Sequence, residues 1–207
     1  MDFYYGRVSG NSARAAFGLY EAAAQFVPRP LDTRKGENRQ AAYQLVNPMG
    51  KIPSLVDGSF RLWESNAINL YVAGKHPQAR LIPESAEGRA SMQRWLFFQA
   101  AHVTPACVQL FRNTNARVQE FYGVTGDPQV AEAARKELSR YLPVLDAALA
   151  GREFLEGDFS LADVAYAPHL WLVSEGGLDL APWPQVAAWL ARLLARPAWQ
   201  KAAALIF

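Results

Sequence analysis

Along the first eighty residues the apolar positions change period several times, and each change predicts an element. Asp2 to Tyr5 is a short apolar and aromatic run of the kind a buried strand shows. After a polar loop at Arg7 to Asn11, Ala13, Ala16, Phe17, Tyr20, Ala23 and Ala24 recur at helical spacing. Phe26 to Leu31 predicts a second strand. Its prolines, Pro28 and Pro30, cannot donate to a ladder and place it at a sheet edge. Beyond a polar stretch from Asp32 to Gln44, Ile52 to Val56 and Phe60 to Trp63 predict two strands joined at Asp57-Gly58-Ser59, where Asp-Gly suits a tight hairpin. After Trp63 the period turns helical again, with Ile68, Tyr71 and Val72 on one face and an end near Gly74. The order is β-α-β, then β-β-α.

His76 to Gly88 is rich in proline, glycine and charge and has no period, which marks a linker. Every pattern beyond it is helical. Val130, Ala134, Leu138, Tyr141, Leu142, Leu145 and Leu149 form one continuous apolar face. Ser160-Leu-Ala-Asp163 reads as an N-terminal capping box, with Asp in place of the usual Glu. The helix it opens is apolar almost all round, and a buried strut is expected. Val186 to Leu194 is a further amphipathic helix, and Pro197 both ends it and starts the last one. The expected organisation is residues 1–77 as an α+β domain, 78–88 as linker and 89–207 as an all-α domain.

Composition narrows the function classes. With 51% apolar residues the chain can build a substantial core, and 21 Lys plus Arg against 19 Asp plus Glu give a net charge of +2, which points to neither nucleic acid nor an acidic membrane as partner. The N-terminus has neither a basic leader nor an apolar stretch of signal length, so a cytoplasmic protein is expected. The single cysteine, Cys107, excludes an internal disulfide and a CxxC pair, and its neighbours predict a buried helical thiol. His76, His102 and His169 are scattered, and no metal is expected.

Three segments carry a resemblance over essentially the whole chain. N-P-M-G-K-I-P-S-L-V-D-G, L-W-E-S-N-A-I and F-S-L-A-D-V, in this order and at these separations, resemble the approach to the cis-proline, the glutamate-serine turn and the C-domain capping box of cytosolic glutathione transferases. The resemblance implies a thioredoxin-like domain that binds glutathione, followed by a helical domain that holds the second substrate. It further implies a homodimer, with glutathione as co-substrate.

By this resemblance the Ile52–Pro53 bond is cis and turns the Ile52 backbone N–H and C=O outward, where an extended tripeptide pairs as if it were an added strand. Glu64 and Ser65 fall where a helix begins, and helix N-termini favour anions; the anion implied is the γ-glutamyl carboxylate of glutathione. Lys51 and Asn38 are implied at the glycine end. These enzymes hold glutathione so that its thiol ionises, and each pKa unit requires about 1.4 kcal/mol of preferential thiolate stabilisation. The loop V-S-G-N-S-A-R offers Ser9, Asn11 and Ser12, and no tyrosine, which resembles the serine or threonine branch. Ser9 lies five residues before Arg14, as in the S-P-F and T-P-N loops of relatives, and is the favoured donor; Ser12 is placed to start the helix. Gly10 replaces the proline that many relatives carry. For the second substrate the candidates are Trp95, Phe98, His102 and Phe111 on the first long helix of the second domain.

Other chemistries fit less well. G-N-S-A-R lacks the second glycine of a nucleophile elbow, and no glycine-rich dinucleotide turn follows the first strand. Two alternatives remain on the same fold, a glutathione-dependent disulfide or peroxide reductase and a non-catalytic binding protein.

Overall fold

A computed structural model describes all residues 1–207. In chain order the elements are β1 (Asp2–Gly6), α1 (Gly10–Glu21), β2 (Val27–Leu31), α2 (Ala41–Gln44), β3 (Ser54–Asp57), β4 (Phe60–Trp63), α3 (Ser65–Lys75), α4 (Ala86–Phe98), α5 (Thr104–Thr114), α6 (Ala116–Tyr122), α7 (Pro128–Ala148), α8 (Leu161–Glu175), α9 (Pro184–Leu194) and α10 (Pro197–Ile206). A π-helical turn, Gln99–Val103, joins α4 to α5. The chain forms two units, Met1–Ile82 with Pro197–Phe207, and Pro83–Arg196.

The first unit is built on a mixed four-stranded sheet in the order β2-β1-β3-β4, the thioredoxin-like arrangement. β2 pairs parallel to β1 and lies at the edge, as its prolines require. Val27 N–H donates to the Met1 carbonyl, so the alternating Pro28 and Pro30 turn their nitrogens to the free side, where no ladder bond is lost. β3 runs antiparallel to both β1 and β4. In the hairpin Asp57 pairs with Phe60, and Gly58, at φ +61°, supplies the positive φ of the two-residue loop. The polar stretch before β3 holds two short elements the periodicity does not show, a 3₁₀ turn at Glu37–Arg39 and α2.

Phe3 and Leu55 from the sheet, Phe17 and Leu19 from α1 and Ile68 and Val72 from α3 are fully buried. α1 and α3 approach closely because residue 18 is glycine: a Cβ there would lie 2.3 Å from Asn69 Oδ1. α10 also belongs to this unit, its Trp199 meeting Phe17 edge-on at 5.7 Å and its Ile206 carbonyl accepting from Val8 N–H at 2.9 Å. Amphipathicity predicts the helix but not its partner, so α10 leaves the expected all-α domain of residues 89–207 and joins the first unit.

The second unit is all helical. α8 is buried from Leu161 through Leu170, as its apolar circumference predicts, and Ser160 and Asp163 form the capping box. Asp163 also leaves its own helix: Oδ1 accepts from Leu155 N–H at 3.0 Å and from the Trp189 indole N–H at 2.9 Å, while Oδ2 accepts from Ser160 N–H at 2.9 Å. One carboxylate thus ties the preceding loop, the α8 cap and α9 together. Burial pushes its pKa up to about 6, against the downward pull of these donors. Cys107 is fully buried in α5. No helix is long and apolar enough to cross a membrane.

Candidate active site

Strand direction decides where the site residues meet. Ser54 pairs with Trp63, so continuing that register sets Pro53 beside Glu64; Tyr4 pairs with Ser54, which brings Gly6 to Ile52, where a Cβ on Gly6 would come within 2.9 Å of Ile52 Cδ1. The loop before α1, the Ile52–Pro53 segment and the start of α3 therefore share one end of the sheet.

The Ile52–Pro53 peptide is cis. Ile52 stands outside the β3 ladder, and its N–H and C=O bond to nothing in the chain. The loop leading to it is fixed from behind. Lys51 O accepts from the Tyr43 hydroxyl at 2.7 Å and from Asn47 Nδ2 at 2.6 Å, and burial pushes the Tyr43 phenol up, which keeps it a donor. The Lys51 side chain is exposed. Asn38 gives an amide N–H to Gly50 O at 2.6 Å, while its Oδ1 and the Thr33 hydroxyl are buried without a partner. Asn38 thereby buttresses the Gly50–Lys51 turn.

Glu64 holds φ +71° and ψ +115°, a conformation that costs a non-glycine residue on the order of 1–3 kcal/mol. It turns the chain so that Ser65, 5% exposed, opens α3. No side chain caps this helix, whereas α1, α4, α6, α7 and α8 all have one. An exposed Glu64, a buried Ser65 hydroxyl and a helix N-terminus without a side-chain cap are thus presented together, the setting in which a carboxylate is bound.

In the loop before α1 the helix cap falls on Ser9 and not on Ser12 as expected. The helix starts at Gly10, and Ser9 is its N-cap, Oγ accepting from Ser12 N–H at 3.2 Å. Ser12 is not the cap; it is fully buried, and its hydroxyl accepts from Gly6 N–H at 3.3 Å. Val8, at φ +52°, makes the turn that brings the helix start forward. The Ser9 hydroxyl accepts the cap bond and keeps its proton to donate. Asn11 is half-buried, and its Oδ1 accepts from Arg14 Nη1 at 2.8 Å.

Of the second-substrate candidates, all in the second unit, Trp95 and Phe111 are buried, Phe98 is half-buried and His102 is exposed. Trp95, Phe98, His102 and Tyr141 form a row of ring contacts beginning with the 6.1 Å pair of Trp95 and Phe98. His102 and Tyr141 also border a groove of about 360 Å³ between α5 and α7. Phe111 stands apart, 6.0 Å from the His169 ring. No group of three or more His, Cys, Asp or Glu side chains is placed to hold a metal ion.

Comparison with known proteins fits this geometry. The family model of the glutathione S-transferase N-terminal domain matches residues 1–74, and that of the C-terminal domain matches residues 96–197. Glutathione S-transferase F10 of Arabidopsis thaliana is 33% identical over 206 residues, covering 97% of this chain and 95% of its own. The chain belongs to the glutathione S-transferase family. Glutathione S-transferase 3 of Zea mays is 35% identical, covering 96% of the present transferase and 91% of the maize protein. Among solved structures, glutathione S-transferase-I bound with lactoylglutathione superposes with a TM-score of 0.89 at 30% identity, over 99% of both chains. The theta-class enzyme of Xanthomonas axonopodis pv. citri with glutathione bound gives 0.88 at 29% identity, over 98% and 96%.

Three residues of the candidate site carry little or no signal in the sequence. Tyr43 and Asn47 hold the Lys51 carbonyl, and only Asn47 has a local signal, the Asn-Pro turn in which its Oδ1 accepts from Met49 N–H at 3.0 Å. Arg14 appears there only as a spacing marker. The structure buries it to 4% exposure and bonds it across 51 residues to Ser65.

Proposed function

We propose that this glutathione transferase binds glutathione along the shared end of β1, β3 and β4 and delivers its thiolate to small hydrophobic electrophiles. The observation that carries this reading is that three open groups lie at one sheet end: the unpaired Ile52 backbone, the α3 start with Ser65, and the Ser9 hydroxyl proton. The cysteine residue of the tripeptide pairs with Ile52 as an added strand, and the γ-glutamyl carboxylate takes the α3 N-terminus and Ser65. Glu64 faces the α-amino group. Lys51 takes the glycine carboxylate, with Asn38 fixing its turn. Ser9 donates to the sulfur and holds it as thiolate. Asn11 flanks that donor. Phe98 and His102 offer accessible ring faces to the electrophile, Trp95 backs Phe98 from within the second unit, and Phe111 lies farther along α5.

The chain acts as a homodimer in this reading. Large apolar side chains left exposed in the first unit, Leu45, Met49, Phe60 and Trp63, and Phe97 in the second support it. Its setting is the cytoplasm, where the glutathione pool lies.

A melting curve at millimolar glutathione and an activity panel of a halogenated nitroarene, an organic peroxide and a small disulfide test the reading. A ligand that binds only the folded state at 100 times its Kd adds about 2.7 kcal/mol, so a clear rise in Tm is expected, with nitroarene conjugation the fastest activity. An unmoved Tm together with no conjugation sinks it, and peroxide or disulfide turnover exceeding conjugation turns it to the reductase. Light scattering is expected to give twice the 22.9 kDa chain mass.

A further inference from the structure

Arg14 lies in the second turn of α1, yet its guanidinium is spent on the ligand-facing groups rather than on solvent. Nη1 donates to Asn11 Oδ1 at 2.8 Å and to Ser65 Oγ at 2.9 Å, and its own carbonyl accepts from Asn69 Nδ2 at 3.0 Å. Both ends of the residue are thus anchored, the side chain to the first residue of α3 and the backbone to its second turn. Arg14 is 4% exposed and Ser65 5%, so the bond between these two is shielded from water.

Arginine only donates, and this fixes the polarity of what it touches. A serine hydroxyl can serve as donor or acceptor, and an asparagine amide can present either end. With Arg14 donating, Ser65 Oγ is an acceptor on its inner side and its proton points to another partner; Asn11 turns its oxygen to Arg14 and keeps its NH₂ for the other direction. Both groups become donors toward an anion. We infer that Arg14 is a positioning residue that couples the two ends of the glutathione site, holding Ser65 as hydrogen-bond donor to the γ-glutamyl carboxylate and Asn11 as donor on the thiol side. The inference rests on the proposed placement of glutathione.

Four proteins test it: wild type, Asn11→Ala, Ser65→Ala and the double variant, with glutathione affinity measured by calorimetry and folding checked by melting. No bond joins Asn11 to Ser65 directly, so any coupling between them runs through Arg14. Ser65→Ala is expected to weaken glutathione about tenfold, the loss of one hydrogen bond to a charged group. Asn11→Ala is expected to weaken it severalfold, and the double variant to fall short of the product by threefold or more. Arg14→Lys, which keeps the charge but not the fork, is expected to weaken glutathione about tenfold or more, and inhibition by cysteinylglycine, which keeps the thiol but lacks the γ-glutamyl group, by no more than the severalfold loss of Asn11→Ala. Weakening of both ligands alike would mark a merely structural role and overturn the inference, as would losses that multiply in the double variant. If Arg14→Lys does not fold, the Asn11 and Ser65 cycle decides alone. Wild type that binds no glutathione overturns the site reading as well, whereas failure of Arg14 alone leaves wild-type binding intact.

Discussion

Replacing Asp163 by Asn separates the cost of a buried charge from the value of its hydrogen bonds. The folded-state pKa is pushed by burial to about 6 from 3.8, a difference of about two units. For an acid raised in this way, the folded chain holds the proton more tightly than the unfolded chain between pH 4 and 6, so stability falls as pH rises through that window. At 1.36 kcal/mol per unit the fall from pH 4 to 7 is about 2–3 kcal/mol, or roughly 5–10 °C in Tm for a chain of this length. Asparagine cannot titrate. Its oxygen at the Oδ1 position still accepts from Leu155 N–H and the Trp189 indole, but an NH₂ at the Oδ2 position faces Ser160 N–H, donor against donor. That lost cap bond costs about 1–3 kcal/mol at every pH. Thermal melts of both proteins at pH 4, 5, 6 and 7 isolate the group, because the acids held low by their partners, Asp32, Asp57 and Glu137, are common to both and cancel in the difference. The wild-type advantage over Asp163→Asn is expected to shrink by about 2–3 kcal/mol from pH 4 to 7. Stability curves that run parallel across this range would refute the reasoning.

Ser9→Ala is expected to raise the pKa of bound glutathione by about one to two units and to cost about 1 kcal/mol of stability as a lost cap, whereas Ser9→Gly restores most of the stability and none of the thiol effect. Ultraviolet titration of the complex and melting curves read the two separately, and a thiol pKa unmoved by either change removes Ser9 from the chemistry. Glu64→Gly relieves the φ of +71° and is expected to raise Tm by a few degrees, the relieved strain exceeding the glycine's entropic cost, while glutathione affinity falls with the lost carboxylate; a lower Tm would count against strain at this turn.

How much of this was legible depended on whether the cause was local. Pro28 and Pro30 forbid a central strand, Asp57-Gly58 permits a two-residue hairpin, and Ser160 with Asp163 satisfies a helix start reciprocally; each constraint acts within a few residues and is visible in the string. The helix start at Ser9 was not, because Ser9, Asn11 and Ser12 are all good N-caps and the choice falls to Val8, a non-glycine residue at φ +52° that carries no sequence signal. The π turn at Gln99–Val103 contains neither glycine nor proline, so the helical period runs through it unmarked. Longer-range causes were further out of reach. The Arg14 to Ser65 bond spans 51 residues, and the packing of Trp199 on Phe17 spans more. The spacing of Asp163 from Ser160 marks it as a cap, but its bond to Trp189 depends on where α9 lies.

On the proposed placement of glutathione, the direction of the strands explains why the thiolate lies at this end of the sheet. β1 and β4 both run antiparallel to β3, so they run the same way and end together, and α1 and α3 both set out from that end. Two helix N-termini therefore point their partial positive charge at the place where β3 begins. A helix end contributes typically 0.3–1 kcal/mol to a nearby anion, so α1 alone lowers a thiol pKa by less than about one unit from its usual 8.5. That is too little to ionise most of the glutathione at neutral pH. A hydrogen bond to the charged sulfur adds about 1.5–3 kcal/mol, enough to bring the thiol near or below 7. If Ser9 donates to the sulfur as proposed, the helix end prepares the site and the Ser9 proton decides the ionisation, so Ser9→Gly, with the helix intact and the hydroxyl gone, is expected to leave glutathione bound and mostly protonated.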